Sequence, residues 1–501
     1  MKLVDLLKSG CERNPDSNIV QDSGQSMTYS DIYSDCLHLS KILQEYGMKP
    51  GVKIGIFLEN SKEFLMAFFA VSAASCTIVP LFREMTIYEL SGSIHTADLS
   101  AVISDFKTSS KLLSSLQDVT IIGVEYCDDG LKVQVIKACS TVVDEDNKDV
   151  ALMVTTSGTT GKPKHVLLTD HQLISNLHQY LKVMKFSDRE TVYCALPFSH
   201  IYCITAQILT HISRGDGYII SKGRFFIKDF FRSVQEQGVT ITAFVPYLAI
   251  LMADYPTPEN YHLESLKQIT LSGSKTPACS YLKLKDLYPN IRFINTYGMS
   301  EAGSRIAIAA PNPSRYPVDS VGKALPGVSI KIVEIKGDTL PVGKVGEICI
   351  KSSGLMKGYY RDPGLTSDVL SHGWFKTGDL GKMDSKGNLF IAGRLKEIII
   401  SGGKNISPYE IEECLLKHPK VLEAAVVAKK HPTRQEVPYA FIVCTGNASI
   451  GFSEFVAHCR QYLSSYKIPH GFEIIEVLPK ISASKINRRQ LAQISSEEPL
   501  L

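Results

Sequence analysis

The sequence predicts an α/β protein whose parallel sheets carry helices on both faces, and three observations support this fold class. Apolar runs rich in β-branched residues alternate with helical stretches through most of the chain. Near residue 320 the pattern changes to short strands separated by glycine turns. After Arg394 it becomes a compact α/β mixture. We therefore place a boundary at 393–397, between domains of residues 1–394 and 395–501.

The strand and helix predictions follow the chain in order. VKIGIFLE (52–59) and TVYCALPF (191–198) are apolar and partly β-branched, which predicts buried strands. SKEFLMAFFAVSAA (61–74) predicts a helix after the first of these strands, and YCITAQILTHISRG (202–215) a helix after the second. TITAFVPYLAILMADY (240–255) predicts a strand followed directly by a helix.

The C-terminal region begins with shorter elements. VSIKIVEIKG, VGEICIKS and GNLFIAGR predict a small β region, EIIIS a further strand and GGKN a turn. SPYE (407–410) has the pattern of a capping box at a helix start. In that interpretation Ser407 is the N-cap, Pro408 takes the first helical position and the Glu410 side chain reaches back.

Composition and charge exclude several classes of protein. The chain is 44% hydrophobic and 21% charged, which is ordinary for a globular protein. A net charge of +3 gives no argument for nucleic acid or an anionic membrane as partner. The twelve cysteines form no C-x-x-C pair, so we expect reduced thiols and a cytoplasmic protein. Residues 64–82 have the length of a membrane span, but polar residues and Pro80 interrupt them. We predict a buried helix and strand there, and no transmembrane segment.

The stretch TTSGTTGKPK (155–164) has the composition of a phosphate-binding loop. It is not a Walker loop, because two residues separate Gly158 from Gly161 and Pro163 follows Lys162. The next residues, HVLLT, favour a strand, so the loop is predicted to join two strands. Its glycines allow backbone N–H groups to converge on an anion. Its other donors are hydroxyl groups and ammonium groups: Thr155, Thr156, Ser157, Thr159, Thr160, Lys162 and Lys164. The alternative is a flexible surface hairpin.

Two further stretches contain candidate carboxylates. NTYGMSEAG (295–303) places Glu301 beside Ser300, and magnesium takes one or two carboxylates together with phosphate oxygens. GWFKTGDLG (373–381) places Asp379 in a glycine-flanked turn, where a carboxylate can bind a ribose diol. Taken alone, Glu301 is better explained as a glutamate in a solvent-exposed turn, and Asp379 as part of an Asp turn.

Two basic stretches complete the set. GRLKEIIISGGKNISPYEIE (393–412) lies on the predicted domain boundary. LPKISASKINRRQL (478–491) places Lys485 in a loop of small residues, which we expect to be mobile. A lysine in such a loop, considered alone, is simply solvated. The order of all these stretches is more specific than any one of them.

In this order, the stretches resemble the adenylate-forming (AMP-binding) superfamily, most of all its acyl-CoA synthetases and fatty-acid–CoA ligases. TTSGTTGKPK, NTYGMSE, GWFKTGDLG, GRLKEIIISGGKNISPYEIE and LPKISASK match the superfamily's motifs, and the likeness extends over essentially the whole chain. The resemblance implies a large N-terminal domain of two α/β subdomains plus a small β-barrel. It also implies a small mobile α+β C-terminal domain.

The resemblance implies two half-reactions. A carboxylate first attacks the α-phosphate of ATP, giving an acyl-adenylate and pyrophosphate. A thiol then attacks the acyl-adenylate and releases AMP. The thiol belongs to CoA, or to the phosphopantetheine of an acyl carrier protein. The implied enzyme is an AMP-forming acid–thiol ligase that requires Mg²⁺.

The resemblance also assigns roles to residues. Lys485 matches the catalytic lysine, Glu301 the magnesium-binding position and Ser300 its hydroxyl neighbour. The loop, including Gly158 and Gly161, would hold the β- and γ-phosphates. The remaining assignments cover the adenine site (Ser272, Gly273, Ser274, Tyr297), the ribose pair (Asp379, Arg394), the hinge (Lys396) and the thiol tunnel (Gly402, Gly403, Lys404).

The chain departs from the superfamily pattern at a few positions. Ser484 stands for the glycine before the catalytic lysine, and His165 for the glycine after the PK of the phosphate loop. Asp170 stands for a histidine, while Ser300 replaces the commoner threonine and keeps a hydroxyl. Because the lysine itself is present, we expect an active enzyme, with a non-catalytic nucleotide-binding or scaffold protein as the alternative.

The acid and the thiol are less well determined. His200 lies where amino-acid-activating members carry an aspartate, which favours acyl- or aryl-CoA synthetases, although a buried packing histidine is the alternative. The other pocket candidates are Ile201, Val245, Tyr247, Ser272 and Gly298. We expect a fatty acid, with an aryl acid as the alternative. The short segment 327–347 favours CoA, with a carrier protein as the alternative acceptor.

Overall fold

The computed structural model describes the chain except for a few short segments. The described residues are 1–21, 26–113, 115–116, 118–127, 129–156, 163–221, 223, 225–255, 260–334, 337–446, 451–482 and 485–497. The prediction of a mixed α/β protein with a large N-terminal and a smaller C-terminal part is confirmed.

The first large sheet is parallel through its centre and antiparallel at its edges. Its parallel strands are Arg292–Tyr297, Gln268–Leu271, Ile241–Phe244, Thr191–Cys194, Gly217–Ile220 and Asn18–Gln21, in that spatial order. Its antiparallel edge strands are Lys323–Ala324 and Ala307–Ile308 on one side and Ser26–Thr28 on the other. The parallel strands are largely buried, as expected for a sheet covered on both faces.

The second large sheet repeats this design. Its parallel strands are Val150–Thr156, Thr77–Pro80, Lys53–Phe57, Ala101–Ser104 and Thr120–Cys127. Its antiparallel strands are Gly358–Tyr359 and Lys164–Thr169 at one edge and Gly130–Lys137 at the other. The phosphate-loop candidate therefore joins two antiparallel strands of this sheet, as predicted.

Helices cover both sheets and bury their apolar sides. They span Leu3–Arg13, Tyr29–Glu45, Lys62–Ala73, Ile87–Ala97, Phe106–Leu113, Asp170–Leu181, Ile227–Gln237, Pro246–Ala253, Ala278–Leu287 and Pro363–Val369. A further helical segment runs from Ile201 to Ile212 and contains a π-helix, Ile204–Leu209. Short 3₁₀ turns lie at Glu145–Asn147, Ser300–Ala302 and Pro313–Arg315.

The most apolar stretch forms a buried helix and strand, as predicted. The Ser61 hydroxyl accepts a hydrogen bond from the Phe64 N–H and caps the helix Lys62–Ala73. The strand Thr77–Pro80 follows and is buried along its length. Within the part of the chain that the structure describes, no helix is both long and apolar enough to cross a membrane.

An antiparallel sheet occupies the region predicted to form the small β-barrel. Its strands are Ser329–Val333, Gly346–Lys351, Trp374–Met383, Leu370–Ser371 and Leu389–Arg394. The last strand pairs with Trp374–Met383 and places Arg394 directly opposite Asp379. The 3₁₀ turn Leu395–Glu397 then leads out of this sheet.

The C-terminal part forms its own sheet and hydrophobic core. Its strands are Lys404–Ile406, Ile399–Ser401, Gln435–Cys444, Val421–His431 and Gly471–Ile474, with a separate hairpin of Lys480–Ser482 and Lys485–Ile486. Its helical elements are Pro408–Leu415, Phe452–Tyr462, Ser465–Lys467 and Arg488–Glu497. All twelve cysteines of the chain are free thiols.

The predicted capping box at 407–410 is wrong, although the helix begins at Pro408 as expected. The Ser407 hydroxyl donates to the carbonyl of Ala392 at 2.6 Å and so does not cap the helix. Glu410 accepts a hydrogen bond from Lys467 Nζ. Both side chains therefore serve contacts distant in sequence, which outweigh the local capping pattern.

Candidate active site

The two strands beside the phosphate loop hold its ends in fixed register. Thr155 lies opposite His165, and Thr156 lies opposite Lys164. The hydroxyl of Thr156 also donates to the carbonyl of Lys164 at 3.5 Å. The other loop candidates lie outside the described residues: Ser157, Gly158, Thr159, Thr160, Gly161 and Lys162.

The His165 side chain contacts two threonine hydroxyls on one face of this hairpin. Its Nδ1 lies 3.1 Å from the Thr155 hydroxyl and its Nε2 lies 3.3 Å from the Thr96 hydroxyl. Burial lowers the pKa of His165, although the Asp98 carboxylate opposes the shift, so the imidazole is neutral at pH 7. A glycine here would make neither contact. This departure from the superfamily pattern therefore adds two side-chain contacts at the strand that follows the loop.

Lys164 points to the other face, because neighbouring residues of a strand alternate sides. Its Nζ lies 5.1 Å from the ring centroid of Tyr359, within cation–π range. The Tyr359 hydroxyl donates to Glu301 Oε1 at 2.9 Å. Burial, followed by the Glu301 carboxylate, raises the pKa of Tyr359, so its hydroxyl stays protonated and keeps donating. This contact brings a loop lysine and the magnesium candidate together around one tyrosine.

Glu301 lies in the 3₁₀ turn Ser300–Ala302, which follows the strand of Tyr297. The backbone N–H of Met356 donates to the Glu301 carbonyl at 2.8 Å. The side chain is half-buried and keeps a carboxylate with free acceptor capacity beyond the bond to Tyr359. Tyr359 was not among the candidates predicted from the sequence, where it is simply the first tyrosine of the segment GYY.

A second cluster joins Tyr297, Asp379 and Arg394. The Tyr297 hydroxyl donates to Asp379 Oδ2 at 2.8 Å, and Arg394 Nε lies 3.0 Å from Asp379 Oδ1. Asp379 is only 6% exposed, so its carboxylate is held firmly in place. The Asp379 carboxylate raises the pKa of Arg394, and burial followed by that carboxylate raises the pKa of Tyr297. The turn predicted at Asp379 is wrong, because the residue lies within the strand Trp374–Met383 with its carboxylate buried and paired.

The predicted adenine segment leaves the carboxyl end of a parallel strand. Ser272 follows the strand Gln268–Leu271, and its N–H donates to the Phe244 carbonyl at 3.2 Å. Gly273 has φ +95°, a conformation that side-chain-bearing residues rarely adopt. Ser274 completes the turn. The segment therefore lies beside the strand that carries Tyr297, at the sheet edge where α/β proteins bind ligands.

The pocket candidates surround the same edge. Ile201 and Val245 are buried, Tyr247 is half-buried and His200 is exposed, so the packing alternative for His200 is wrong. The His200 ring centroid lies 6.4 Å from that of Phe82. A Cβ atom on Gly298 would lie 1.4 Å from the Ser304 carbonyl oxygen, so only glycine fits there.

The C-terminal candidates lie on turns. Lys396 is exposed in the turn after Arg394. Gly402 and Gly403 have φ of +54° and +76° at the tip of a hairpin, and Lys404 Nζ lies 4.1 Å from the Tyr466 ring centroid.

Lys485 was expected in a mobile loop, but its backbone begins a short strand opposite Ser482. Its side chain and Ser484 lie outside the described residues. In the same hairpin, Lys480 Nζ lies 4.7 Å from the ring centroid of Tyr247, a pocket candidate. Lys275 pairs with Glu413 in a second contact between the two parts of the chain. The hairpin that carries Lys485 therefore faces the pocket side of the N-terminal part.

The family described as AMP-binding enzyme matches residues 7–360, and its C-terminal domain matches residues 410–485. The chain belongs to the AMP-binding enzyme family. The predictions of this superfamily and of an acid–thiol ligase are thereby confirmed, and the relatives are consistent with them.

The similarity to relatives and to solved structures extends over nearly the whole chain. A 4-coumarate–CoA ligase of Nicotiana tabacum is 31% identical and is matched over 93% of this chain and 89% of its own. A 2-succinylbenzoate–CoA ligase of Bacillus licheniformis is 30% identical, with 97% and 98% covered. The structure of o-succinylbenzoate CoA synthetase from Bacillus subtilis, in complex with an acyl-adenylate intermediate, has a TM-score of 0.84 and 26% identity over 97% of both chains.

Proposed function

We propose that the protein activates an aryl carboxylic acid as its acyl-adenylate and transfers the acyl group to the thiol of CoA. In the first step a carboxylate oxygen attacks the α-phosphorus of ATP, and pyrophosphate leaves. In the second step the CoA sulfur attacks the acyl carbon, the bond from that carbon to the AMP oxygen breaks, and the thiol proton passes to solvent.

The observation that carries this proposal is that two polar clusters flank the end of one strand, where Tyr297 is the last strand residue and Glu301 lies in the turn that follows. Tyr297 binds the Asp379 carboxylate, and Glu301, which follows Tyr297 after one short turn, binds Tyr359 beside Lys164. One cluster thus suits a ribose diol and the other a phosphate with its metal. Because Tyr297 and Glu301 are four residues apart, the two clusters are proposed to take the nucleoside end and the phosphate end of one ATP molecule.

We assign the residue roles from that arrangement together with the superfamily motifs. Asp379 and Arg394 bind the ribose, and Tyr297 with the segment Ser272–Ser274 borders the adenine. The loop beginning at Thr155 binds the pyrophosphate end. Negative charge at the reacting phosphate is stabilised chiefly by Lys485, since electrostatic stabilisation is the main task in phosphoryl chemistry.

The donor set fits magnesium. Mg²⁺ keeps several waters and takes one or two carboxylates besides phosphate oxygens. Glu301 supplies one carboxylate with lone pairs to spare, and the Ser300 hydroxyl is its neighbour. Among the described residues, no cluster of three or more His, Cys, Asp or Glu side chains offers a closed metal cage. When bound, the ion would neutralise charge on the departing pyrophosphate.

A domain rotation would serve the two half-reactions in turn. We place the division between residues 394 and 395, with Lys396 in the hinge, because the antiparallel sheet ends at Arg394 and a new sheet begins at Ile399. One orientation brings Lys485 to the acid. The other brings the hairpin tip of Gly402, Gly403 and Lys404 to line the path of the thiol.

The acid is proposed to be aromatic, which replaces the fatty acid expected from the sequence. The curated relatives carry the names of coumarate and succinylbenzoate ligases. Those names also support CoA as the acceptor over a carrier protein. The short connection after the strand Ser329–Val333 is consistent with that choice.

AMP release tests the proposal. The protein is incubated with ATP, Mg²⁺ and a panel of aryl, fatty and amino acids, with and without CoA. We expect CoA-dependent AMP release on aryl acids, and its loss in Lys485→Ala with ATP binding retained. Lys430→Ala, at an exposed lysine of the C-terminal part, is the matched control. Release that depends on a carrier protein and not on CoA would contradict the acceptor, and full activity of Lys485→Ala would contradict the catalytic assignment.

A further inference from the structure

Arg305 is a deeply buried cation. The residue is 2% exposed, and within the part of the chain that the structure describes its Nη1 has no hydrogen-bond partner. Among the described residues, no carboxylate lies within ion-pair distance of its guanidinium. An uncompensated buried charge is costly, so a cation in this position normally has an anion beside it.

The contacts that Arg305 does make are neutral. Its Nη2 donates to the Thr210 hydroxyl at 3.2 Å, and its guanidinium carbon lies 3.7 Å from the ring centroid of Tyr180. Burial lowers the pKa of Arg305, partly offset by the Tyr180 and Tyr202 phenols. The Tyr180 ring contacts one face of the guanidinium, while Nη1 on its edge has no acceptor among the described residues.

The backbone around Arg305 is strained and tightly held. Ser304 has φ +98°, which is rare for a residue with a side chain. Asn176 Nδ2 donates to the carbonyls of Arg305 at 2.7 Å and Ala302 at 3.3 Å. Such a backbone conformation is costly and persists only where neighbouring contacts hold it in place. Conformations of this kind are concentrated at functional sites.

Arg305 also lies beside two segments that carry proposed pocket residues, Gly298 and the helical segment from Ile201. Its Cα lies 3.0 Å from the position that a Cβ on Gly298 would take. Thr210 and Tyr202 belong to the helical segment that begins at Ile201. Between them runs the π-helix Ile204–Leu209, a rare helical form that is found most often at functional sites.

We propose that Arg305 binds a second carboxylate at the far end of the acid substrate, so that the enzyme activates a dicarboxylic acid. This inference rests on the proposed function and names its substrate class. One carboxylate reacts with ATP, while the other pairs with the guanidinium edge that includes Nη1. An acid of the same size that lacks the second carboxylate leaves the charge of Arg305 uncompensated. The pocket therefore selects diacids over such monoacids.

The test compares each dicarboxylic acid with its monoester, which keeps the reacting carboxylate and lacks the second charge: para-carboxycinnamate and octanedioate against the corresponding monomethyl esters. We expect kcat/KM for AMP release to favour the free diacid by about a hundredfold, as for truncation of one partner of a buried charge pair. Arg305→Met should remove this preference and leave the KM for ATP unchanged. Arg305→Lys should retain part of it, and Arg315→Met, at an exposed arginine, should retain all of it.

Two results would overturn the role of Arg305. One is a wild-type enzyme that uses diacid and monoester equally well. The other is an Arg305→Met enzyme that loses both activities by the same factor, as expected if the side chain only supports the core. If no acid releases AMP, the proposed function fails. Calorimetric titration of the diacids into wild type and Arg305→Lys then decides whether Arg305 binds the second carboxylate.

Discussion

Replacing Tyr359 with phenylalanine is the sharpest test of the magnesium assignment. The substitution removes one hydroxyl and keeps the ring under Lys164 Nζ, so the packing of the loop lysine is preserved. What is lost is the hydrogen bond from Tyr359 to Glu301 Oε1, which is 2.9 Å long. The Glu301 carboxylate then loses the donor that fixes its orientation toward the metal.

The size of the effect follows from the kind of bond. A hydrogen bond to an ionised group contributes about 1.5–3 kcal/mol, and Tyr359 is 8% exposed, so water cannot readily replace its hydroxyl. Each 1.36 kcal/mol is about tenfold in rate or affinity. We therefore expect kcat/KM for Mg·ATP to fall roughly ten- to a hundredfold in Tyr359→Phe, with the KM for the acid little changed.

The neighbouring tyrosine is a matched control. The Tyr360 hydroxyl also donates to a carboxylate, that of Asp98 at 2.5 Å, and it accepts a hydrogen bond from Lys53 Nζ. AMP release is measured for Tyr359→Phe and Tyr360→Phe at saturating Mg²⁺, with thermal unfolding as the check on folding. Equal losses in the two variants, or no loss in Tyr359→Phe, would refute the view that Tyr359 positions a metal ligand.

Three further predictions follow from other contacts. Asp379→Asn should raise the KM for ATP about tenfold or more, because charge-assisted binding of the ribose is lost; an unchanged value in steady-state assays would remove Asp379 from the nucleotide site. Burial lowers the pKa of His165, so the folded protein binds this proton less readily than the unfolded chain and loses stability as the pH falls below about 6.5. Melting temperatures on either side of that pH should diverge less in His165→Gln, and an identical pH dependence would contradict this. Glu412→Gln should destabilise the C-terminal part by about 3 kcal/mol, because Arg488 loses its main buried partner; denaturant unfolding that matches wild type would count against it.

The elements that the sequence predicted well are those set by local pattern. The alternation of glycine, hydroxyl and lysine residues at 155–164, followed by an apolar β-branched run, predicted a loop between two strands. The strand and helix at 52–74 were predicted from an apolar, partly β-branched run followed by a helical stretch, and the structure has them at Lys53–Phe57 and Lys62–Ala73. The strand predicted at 191–198 ends at Cys194, and beyond it the Asn60 side chain donates to the Leu196 carbonyl and accepts from the Phe198 N–H.

The capping box failed for a reason that local pattern does not contain. Ser407 has the right neighbours for a cap, yet its hydroxyl reaches the Ala392 carbonyl in another sheet. Glu410 is likewise bound by Lys467. A side chain makes the bond that the whole fold offers, and a cap is only one of the options.

The sequence by itself determined the family, the order of the motifs and the candidate residues along the chain, because these depend on residue types and short spacings. Only the tertiary structure decided which of them meet. The Tyr359–Glu301 bond, the Asp379 cluster and the isolated charge of Arg305 all join or separate residues far apart in the chain. Such contacts depend on how sheets and turns bring distant segments together, and burial then gives each contact its strength.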